Sequence, residues 1–600
     1  MFKRANKITA LLVAAASVMS IVPAMAADST SRLGTKDGTI TRAIAYKDGK
    51  YAYRGYRTDD DSEAIYYNGG DKDKALSDVE DADIMGAFDE KYAFANDGSD
   101  QYLIDLSAGT VSDEATPEDQ ADTAATKLRT ALKKTDRYGS DVTVDAKENL
   151  GYNGKDDTGA LPGPKFAETW YAYSVDPSTA QDNGTTLYGF TNATGKYIDV
   201  SNLANVYAYS SYKGKNVKVE EYNDYNDDTK LEAKLLGQPT VLTQDKDYIY
   251  ALVNVAVVDT NTDAKVAAGA TTDAVVDAAH LGKTTTHTYL QKIAKAQGDK
   301  KDQAFLPKSV DSYELDNKKY IDNGDVSDAY NAILTDGDYA VANNQYRVKG
   351  DALYVTSVKS DKVKVFALKM TKIKENTVWA GGTNGQKISA DKIDAYVVKK
   401  TGDADQDLPD TGLATDGTSV SIDVDGNTWA INEGKIYKFT GTDKATMFTA
   451  DRSLDKLSVY DDASLIAWDG TNDGNVYTTV SEGKAEAAAE APATPATPAK
   501  VGWDKATDGS WNFYDATGAK VNSKWVNVGG AWYYLKADGV MATGWYNDNG
   551  TWYYLAGSGA MATGWLNDNG TWYYLAGSGA MLSNTTVDGY RLGASGAWVK

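Results

Sequence analysis

The chain has 600 residues, which exceeds one ordinary hydrophobic core, so at least two domains are expected. It contains no cysteine, which excludes disulfides, thiolate metal sites and cysteine nucleophiles. The formal net charge of −23 argues against nucleic acid as a partner, because phosphate backbones repel an acidic surface.

Residues 1–26 are predicted to be a secretory signal peptide. Lys3 and Arg4 belong to a basic head, an apolar run follows over 8–22, and the small residues Ala24 and Ala26 flank Met25 at a cleavage site. No later segment is long and apolar enough to span a bilayer. The sequence therefore predicts a secreted protein without a transmembrane segment.

Residues 27–480 are predicted to be a β-rich extracellular region. Short runs rich in Tyr, Val, Ile and Thr, such as 248–253 and 362–368, alternate with Asp-Gly, Asn-Gly and Lys-Gly turns. This pattern indicates antiparallel strands joined by hairpins. No regular period runs through the region, so two architectures stay open: a β-propeller-like fold with insertions, or one or more β-sandwiches.

One helix is predicted directly after Thr116. That threonine can cap the helix, Pro117 suits the first turn, and Leu128 and Leu132 belong to an apolar face that ends near Lys133. We expect this helix to be an insertion that packs on a sheet. A second, weaker helix is predicted within residues 273–295.

Catalytic chemistry is hard to find in this region. The two histidines, His280 and His287, are not spaced as a zinc motif, no Gly-x-Ser-x-Gly elbow is present, and we expect both at the surface. The cluster at 423–427 is predicted to be a hairpin turn rather than a calcium loop. No catalytic residue, metal or cofactor is predicted, although a glycosidase needs only two carboxylates among 85 acidic residues.

Residues 481–500 are predicted to be a linker, because their Ala, Pro, Thr and Glu content cannot form a packed core. From residue 501 onward one unit recurs: Gly-Trp, a polar turn, Trp-Tyr-Tyr-Leu, and Gly-x-Met-x-Thr-Gly-Trp. Trp525, Trp545 and Trp565 open successive units. A short fixed period is typical of stacked repeats.

Each unit is predicted to be a β-hairpin, because Asn-Asp-Asn-Gly between two aromatic runs is a turn sequence. Side chains alternate along a strand, so Trp552 and Tyr554 share one face and Tyr553 takes the other. One hairpin cannot bury so many rings, but stacked hairpins can. Gaps between the rings would form open aromatic cages that attract cations, quaternary ammonium above all.

The segment 501–600 resembles the choline-binding, or cell-wall-binding, repeat family of Gram-positive surface proteins. The resemblance implies a β-hairpin solenoid of about four repeats plus a C-terminal cap. It also implies cages that hold choline between two aromatics of one repeat, an aromatic of the next, and often a Met. The implied ligand-binding residues, with the second tyrosines chosen from the alternation, are Trp525, Trp532, Tyr534, Met541, Trp545, Trp552, Tyr554, Met561, Trp565, Trp572, Tyr574 and Met581.

The two ends of the repeat region depart from this pattern. The first unit, with Trp503 and Trp511, carries Lys520 where the later units carry Met, so it is left out of the implied ligand-binding residues. The tail over 587–599 is expected to cap the stack as a degenerate hairpin. Similar repeats in other proteins bind carbohydrate, so the ligand is choline or a sugar.

Together these features predict a secreted protein held non-covalently on a Gram-positive cell wall. Its partner would be a choline-bearing teichoic acid or a related wall polymer. The region 27–480 would be displayed as an adhesin or a structural interaction domain. The alternative is a cell-wall- or glycan-active hydrolase that uses the repeats as its targeting module.

Overall fold

The computed structural model describes residues 31–481 and 502–599, except 58–59, 71, 145–146, 177–185, 211, 214, 262–283, 319–320, 322, 336–343, 360, 380–386, 410–417, 472–473, 507–508, 516–519, 529–530, 549 and 588. The predicted signal peptide and nearly all of the predicted linker lie outside the described residues. The chain divides into two compact units, Met1–Glu490 (unit 1) and Ala491–Lys600 (unit 2).

Both units are mainly β, as the sequence predicts. Within the described residues, unit 1 contains seven larger groups of strands, called sheets 1 to 7 in chain order, and a small hairpin, Gln297–Lys301 with Ala304–Pro307. Sheet 1 contains Thr39–Ala45, Tyr51–Arg57, Asp60–Asn68 and Asp73–Ala75, and sheet 2 contains Asp83–Phe88, Tyr92–Asn96, Gln101–Asp105 and Thr110–Ser112. Sheet 3 contains Trp170–Val175, Leu187–Asn192 and Tyr197–Asp199, and sheet 4 pairs Leu203–Ser210 with Lys215–Glu221.

The later part of unit 1 holds its largest sheet. Sheet 5 has nine strands: Leu231–Leu235, Thr240–Gln244, Tyr248–Asp259, Thr284–Ala294, Val310–Leu315, Gln345–Lys349, Ala352–Lys359, Lys362–Trp379 and Lys387–Asp407. Sheet 6 contains Val420–Ile422, Thr428–Asn432, Lys435–Thr440 and Asp443–Thr449, and sheet 7 contains Lys456–Asp461, Ser464–Trp468 and Val476–Thr479.

The first described strands of the chain join the last sheets of unit 1. Ser31–Arg32 pairs in parallel with Asp443–Thr449 of sheet 6. Lys36–Asp37 pairs antiparallel with Val476–Thr479 of sheet 7. Backbone hydrogen bonds therefore connect the two ends of unit 1.

Buried apolar side chains pack neighbouring sheets against one another. Sheet 2 packs on sheet 1, sheet 1 on sheet 7, sheet 7 on sheet 6, sheet 6 on sheet 5, and sheet 5 on sheet 3. Each pairing of sheets shares one cluster of buried side chains, and representative members are Ile84 and Ile44, Tyr53 and Trp468, Leu457 and Trp429, Phe439 and Val363, and Ile249 and Trp170. Alternation of buried and exposed side chains along each strand supplies these faces.

The segment 158–169, called the crossing segment, reaches several of these sheets. Lys165 Nζ donates to Ser421 Oγ of sheet 6 at 2.9 Å and to the Val459 carbonyl of sheet 7 at 3.0 Å. Burial lowers the pKa of Lys165 to about 8, although the nearby Asp423 carboxylate partly opposes this effect.

Aromatic and amide contacts extend the crossing segment to sheets 1 and 5. The Phe166 ring lies 5.1 Å from the Tyr46 ring, next to sheet 1, and 5.7 Å from the Tyr460 ring of sheet 7. Gln244 Nε2 of sheet 5 donates to the Leu161 carbonyl at 3.2 Å. This short segment thus contacts sheets 5, 6 and 7 and the residue that follows the first strand of sheet 1.

The predicted helix is confirmed and spans Pro117–Leu132. The Thr116 side chain accepts a hydrogen bond from the Asp119 backbone, and the Asp119 carboxylate accepts one from the Thr116 backbone, which completes a capping box. Its buried face packs on Tyr171 and Tyr173 of sheet 3, as expected of an insertion on a sheet. A second helix, Gly324–Tyr330, continues into a wider turn at Asn331–Thr335, and single 3-10 turns lie at Lys47–Gly49, Ser77–Val79 and Lys147–Leu150.

The second predicted helix is wrong in its described part. Thr284–Ala294 is a strand that pairs with Tyr248–Asp259 on one side and Val310–Leu315 on the other. Its first half is rich in β-branched threonine, and alternate positions are buried, which favours a strand. The rest of that stretch lies outside the described residues. No described helix is long and apolar enough to cross a membrane.

Unit 2 consists of four hairpins and a terminal sheet within its described residues. The hairpins pair Gly502–Lys505 with Trp511–Tyr514, Lys524–Val528 with Ala531–Leu535, Gly544–Asp548 with Thr551–Leu555, and Gly564–Asp568 with Thr571–Leu575. The terminal sheet contains Thr586–Val587, Tyr590–Leu592 and Trp598–Val599. At the turn of the fourth hairpin, Asn569 and Gly570 both have positive φ, as a two-residue hairpin loop requires.

Candidate functional site

The register of each hairpin places two tryptophans on one face. In the third hairpin Trp545 lies opposite Tyr554, and Asn547 lies opposite Trp552. The Trp545 and Trp552 ring centroids are 6.5 Å apart, nearly perpendicular, and the Trp545 and Tyr554 centroids are 5.2 Å apart. The predicted alternation of Trp552 and Tyr554 against Tyr553 is therefore present.

The next hairpin supplies the facing aromatic ring, and it does so with its first tyrosine. Trp503 contacts Tyr533 at 4.8 Å, Trp525 contacts Tyr553 at 4.9 Å, and Trp545 contacts Tyr573 at 4.8 Å. These first tyrosines were not among the predicted residues. Side chains alternate along a strand, so the first tyrosine lies on the face opposite to the tryptophan and the second tyrosine. In a stack of hairpins that opposite face meets the preceding hairpin. This reasoning would have identified the first tyrosines from the sequence.

The second tyrosines, which were predicted as ligand-binding residues, lie beside the opening tryptophan of their own hairpin. Tyr534 is 7 % exposed and its ring lies 4.4 Å from the Tyr546 ring of the next hairpin. Tyr554 and Tyr574 are half-buried, each 5.2 Å from its own opening tryptophan. Their packing supports the tryptophans from within the stack.

The second tryptophan of each hairpin is the most open ring of the group. Trp511, Trp532, Trp552 and Trp572 are each between 40 and 45 % exposed. Exposed large aromatic rings in register on successive repeats are unusual for a simple core, since a core would bury them. They form the accessible wall of each cage.

Each methionine lies with the hairpin that precedes its own. The Met541, Met561 and Met581 backbone amides donate to the carbonyls of Trp511, Trp532 and Trp552, at 2.7, 2.8 and 2.8 Å. Sequence reasoning grouped each methionine with the tryptophans of its own repeat. In the structure each methionine bonds instead to a tryptophan of the preceding hairpin, because the segment that connects two hairpins folds back along the stack.

The repeats therefore contain four similar aromatic sites. Cage 1 contains Trp503, Trp511, Tyr533 and Met541; cage 2 contains Trp525, Trp532, Tyr553 and Met561; cage 3 contains Trp545, Trp552, Tyr573 and Met581; cage 4 contains Trp565, Trp572, Tyr590 and Trp598. The first unit takes part in this arrangement although it carries Lys520 in place of Met, because the second hairpin and its connection supply Tyr533 and Met541.

Cage 4 is completed by the terminal sheet rather than by another repeat. The Tyr590 ring lies 5.4 Å from Trp565 and 5.5 Å from Trp598. Together with Trp572 these rings line a cavity of about 400 Å³. Trp598 replaces methionine, so cage 4 offers four aromatic rings.

Carboxylates hold two of the opening tryptophans. Trp525 Nε1 donates to Asp548 Oδ2, and Trp545 Nε1 donates to Asp568 Oδ2, both at 2.9 Å. Each carboxylate comes from the following hairpin and adds negative charge beside its cage. In the second hairpin Val528 takes this position, so cage 1 has no such carboxylate.

Cage 1 differs from the others in a second way. Lys505 occupies the position that Asn527, Asn547 and Asn567 hold in the later hairpins. Its ammonium lies 5.8 Å from the centroid of the Trp511 ring, within the range of a cation–π contact. A positive charge of the protein itself therefore stands at the open wall of cage 1.

The other predicted features fall in unit 1. His287 is buried at 8 % exposure, which contradicts the expected surface position. Its Nδ1 lies 2.7 Å from Glu314 Oε1 and its Nε2 lies 2.8 Å from Thr285 Oγ1, because alternation turns Thr285 and His287 onto one face of the strand. His280 lies outside the described residues.

The predicted turn at 423–427 is confirmed. The Asp423 amide donates to the Asn427 carbonyl at 3.0 Å, and the Asp423 carboxylate accepts from Asn427 and from Trp429 Nε1. No group of three or more metal-binding side chains occurs among the described residues.

A family profile described as choline-binding repeat matches residues 521–563 and 542–585. Among solved structures, the choline-binding domain of Spr1274 from Streptococcus pneumoniae is 43 % identical over 13 % of this chain and 96 % of that domain, with a TM-score of 0.13. Choline-binding protein F from Streptococcus pneumoniae is 18 % identical over 43 % of this chain and 99 % of that one, with a TM-score of 0.16.

A multimodular pneumococcal cell-wall endolysin from phage Cp-1, solved with choline, is 29 % identical over 21 % of this chain, with a TM-score of 0.13. The match covers 33 % of that endolysin, so this chain spans about a third of its length. A search of curated protein sequences gave no match.

The methionine contacts of the stack lead to a stability prediction. Gly579 has φ of +84°, and a Cβ there would lie 2.2 Å from Met561 Sδ, whereas a Cβ at Gly577 would meet nothing within 4 Å. We expect Gly579→Ala to destabilise the repeats by about 1–3 kcal/mol, through left-handed strain and the displaced methionine.

Calorimetric thermal unfolding of the full chain measures this effect. The matched control, Gly577→Ala, should leave the midpoint nearly unchanged. Equal unfolding midpoints for the two variants would contradict the close approach of the Met561 side chain to Gly579.

Proposed function

The C-terminal segment of this chain belongs to the choline-binding repeat family, and on that premise we propose that unit 2 binds choline groups carried by a cell-wall polymer. Repeats of this family bind choline-bearing wall polymers. The observation that carries the proposal is the row of four cages. Each cage has an exposed tryptophan and a tyrosine from the next part of the chain, which is the next hairpin for cages 1 to 3 and the terminal sheet for cage 4. Sugar binding by the same rings is the second outcome that the experiment below distinguishes.

The cages suit a trimethylammonium group for two physical reasons. Aromatic faces attract a cation by roughly 0.5–2 kcal/mol per ring, and a quaternary ammonium is weakly hydrated, so its desolvation costs little. In cages 2 and 3 the carboxylates of Asp548 and Asp568 add a favourable charge. Methionine supplies a soft, apolar wall for the methyl groups.

The proposed ligand-contacting residues are the members of cages 1 to 4. They retain the predicted tryptophans and methionines. They add Trp503, Trp511, Tyr533, Tyr553, Tyr573, Tyr590 and Trp598. Tyr534, Tyr554 and Tyr574, predicted as ligand-binding, are proposed to act by holding the opening tryptophans in place.

We further propose that the protein is secreted and held non-covalently on a Gram-positive cell wall, with residues 27–480 displayed beyond a linker at 481–500 and repeats at 501–600. The displayed region would act as an adhesin or a structural interaction domain. A propeller-like ring is the architecture we favour for it. Strand pairing between its ends and the contacts of the crossing segment with several sheets support a ring, because sheets around a common axis share one centre.

A non-enzymatic role is proposed for unit 1, and a hydrolase is the alternative. The observation that favours the alternative is the hydrogen-bonded chain Thr285–His287–Glu314, in which a hydroxyl, an imidazole and a carboxylate stand in the order used for nucleophilic catalysis. The same chain serves equally as a buried polar link between strands of sheet 5, and both residues of the His287–Glu314 pair are nearly inaccessible to solvent.

Choline retention tests the cages. We expect the double variant Trp552→Ala, Trp572→Ala to be retained much more weakly on an immobilised choline column, because it removes the open walls of two of the four cages, cages 3 and 4. Wild type should be retained and released by free choline. Tyr56→Ala, at an exposed aromatic ring of unit 1, is the matched control and should be retained.

Unchanged retention of the double variant would remove the cage assignment. Release of the wild type by glucose but not by choline would replace choline with a sugar as the ligand.

The lysine of cage 1 leads to a separate prediction. In a chain whose cages 2 to 4 are disabled by Trp532→Ala, Trp552→Ala and Trp572→Ala, Lys505→Asn should tighten choline binding by roughly three- to tenfold, since it removes a competing cation. Calorimetric titration with choline measures the change. Lys536→Asn, outside the cage, should have no effect, and an equal response of the two variants would show that Lys505 does not occupy cage 1.

Zymography on purified cell walls tests the non-enzymatic proposal. We expect no lytic band from the wild-type chain under conditions in which a known muralytic enzyme gives one. A band that disappears in His287→Ala but persists in the exposed-site variant Tyr56→Ala would overturn the proposal and establish the hydrolase.

A further inference from the structure

Unit 1 contains a cavity of about 330 Å³ that has no part in the aromatic cages. The crossing segment lines most of it, and residues 87–89, where the first strand of sheet 2 ends, and Gln244 of sheet 5 complete its wall. Its volume lies at the lower end of the range of small-molecule sites, about 300–1,000 Å³. It is large enough for one ring-sized ligand.

The wall of this cavity is fixed by hydrogen bonds at several points. The Leu161 amide donates to the Trp170 carbonyl at 2.7 Å, and the Lys165 ammonium is bonded to sheets 6 and 7. The Glu168 carboxylate accepts from Trp170 Nε1 at 2.9 Å and from Asn192 Nδ2 at 2.8 Å. The cavity is therefore preformed and needs little ordering when a ligand enters.

One buried acceptor on the wall is left without a hydrogen bond. Gln244 is 3 % exposed, and its Nε2 is bonded to the Leu161 carbonyl, but its Oε1 has no partner within the described part of the chain. Buried polar atoms are almost always paired, because an unpaired one forfeits its hydration. A ligand hydroxyl or amine would satisfy this oxygen.

The second polar group on the wall is also an acceptor. Asp89 presents a half-buried carboxylate, and burial together with the neighbouring Glu90 raises its pKa. Glu168 adds a further negative charge nearby, and Phe88 and Phe166 are the aromatic residues among those that line the cavity.

Lys165 also lines this wall, but its ammonium is bonded to Ser421 Oγ and the Val459 carbonyl. The acceptors of Gln244 and Asp89 therefore favour hydrogen-bond donors and cations over anions.

We propose that this cavity binds a single sugar ring that carries an amino group. A ring hydroxyl donates to Gln244 Oε1, the ammonium group faces Asp89, and the C–H face of the ring packs on Phe88 or Phe166. The site is separate in the chain from the choline cages, so it stands or fails independently of the function proposed for unit 2.

Calorimetric titration of the full chain with glucosamine tests the site, in the presence of saturating choline so that the cages are occupied. Glucose is the neutral probe and glucuronic acid is the anionic probe. We expect glucosamine to bind more tightly than glucose, and glucuronic acid not to bind. Gln244→Met, which keeps the side-chain length but removes the acceptor, should weaken glucosamine binding by at least about tenfold.

Asp89→Asn should weaken glucosamine binding and leave glucose binding unchanged, because only the ion pair is lost. The matched controls are Gln345→Met and Asp100→Asn, both at exposed positions of unit 1, and both should bind as wild type. Thermal unfolding confirms that each variant is folded. Absence of saccharide binding, tight binding of glucuronic acid, or a folded Gln244→Met chain with wild-type affinity would overturn the proposal.

Discussion

The structure of unit 2 depends on one contact, the edge of an opening tryptophan against the first tyrosine of the next hairpin. It recurs at 4.8 to 4.9 Å in three successive pairs. A two-stranded hairpin has too little core to be stable alone, so this contact holds the stack together and also forms one wall of cages 1 to 3. Stability and ligand binding thus rest on the same rings, and the backbone bonds from the methionines keep the hairpins at a constant spacing.

Because the rings recur, differences between the cages come from the few positions that do not. Asp548 and Asp568 fix the indoles of cages 2 and 3 and add negative charge, whereas Val528 leaves cage 1 without it. Lys505 brings a positive charge to cage 1, and Trp598 closes cage 4 with a fourth ring. The four cages therefore have similar rings but differ in the charge beside them.

The sequence was informative where structure is local and periodic. It predicted the hairpins, the helix at Pro117–Leu132 and the predominance of strands, since turn residues, caps and alternation act over a few residues. It missed Tyr553 and the shift of Met561 to the preceding hairpin, because both depend on how the connections fold back along the stack. It also predicted a helix over Thr284–Ala294, where pairing with two distant strands decides the structure. It predicted a surface position for His287, which is buried and hydrogen-bonded to Glu314 and Thr285.

The distribution of charge connects the two units to their proposed surroundings. Residues 501–600 contain seven Asp, no Glu and six Lys or Arg, so nearly all of the net charge of −23 belongs to the rest of the chain. An acidic unit 1 would be repelled by the phosphates of a wall polymer, and nothing in its charge would hold it there. The proposed cation-binding cages of a nearly neutral unit 2 would overcome this repulsion, because they would bind the positive substituent of the polymer rather than its anionic backbone.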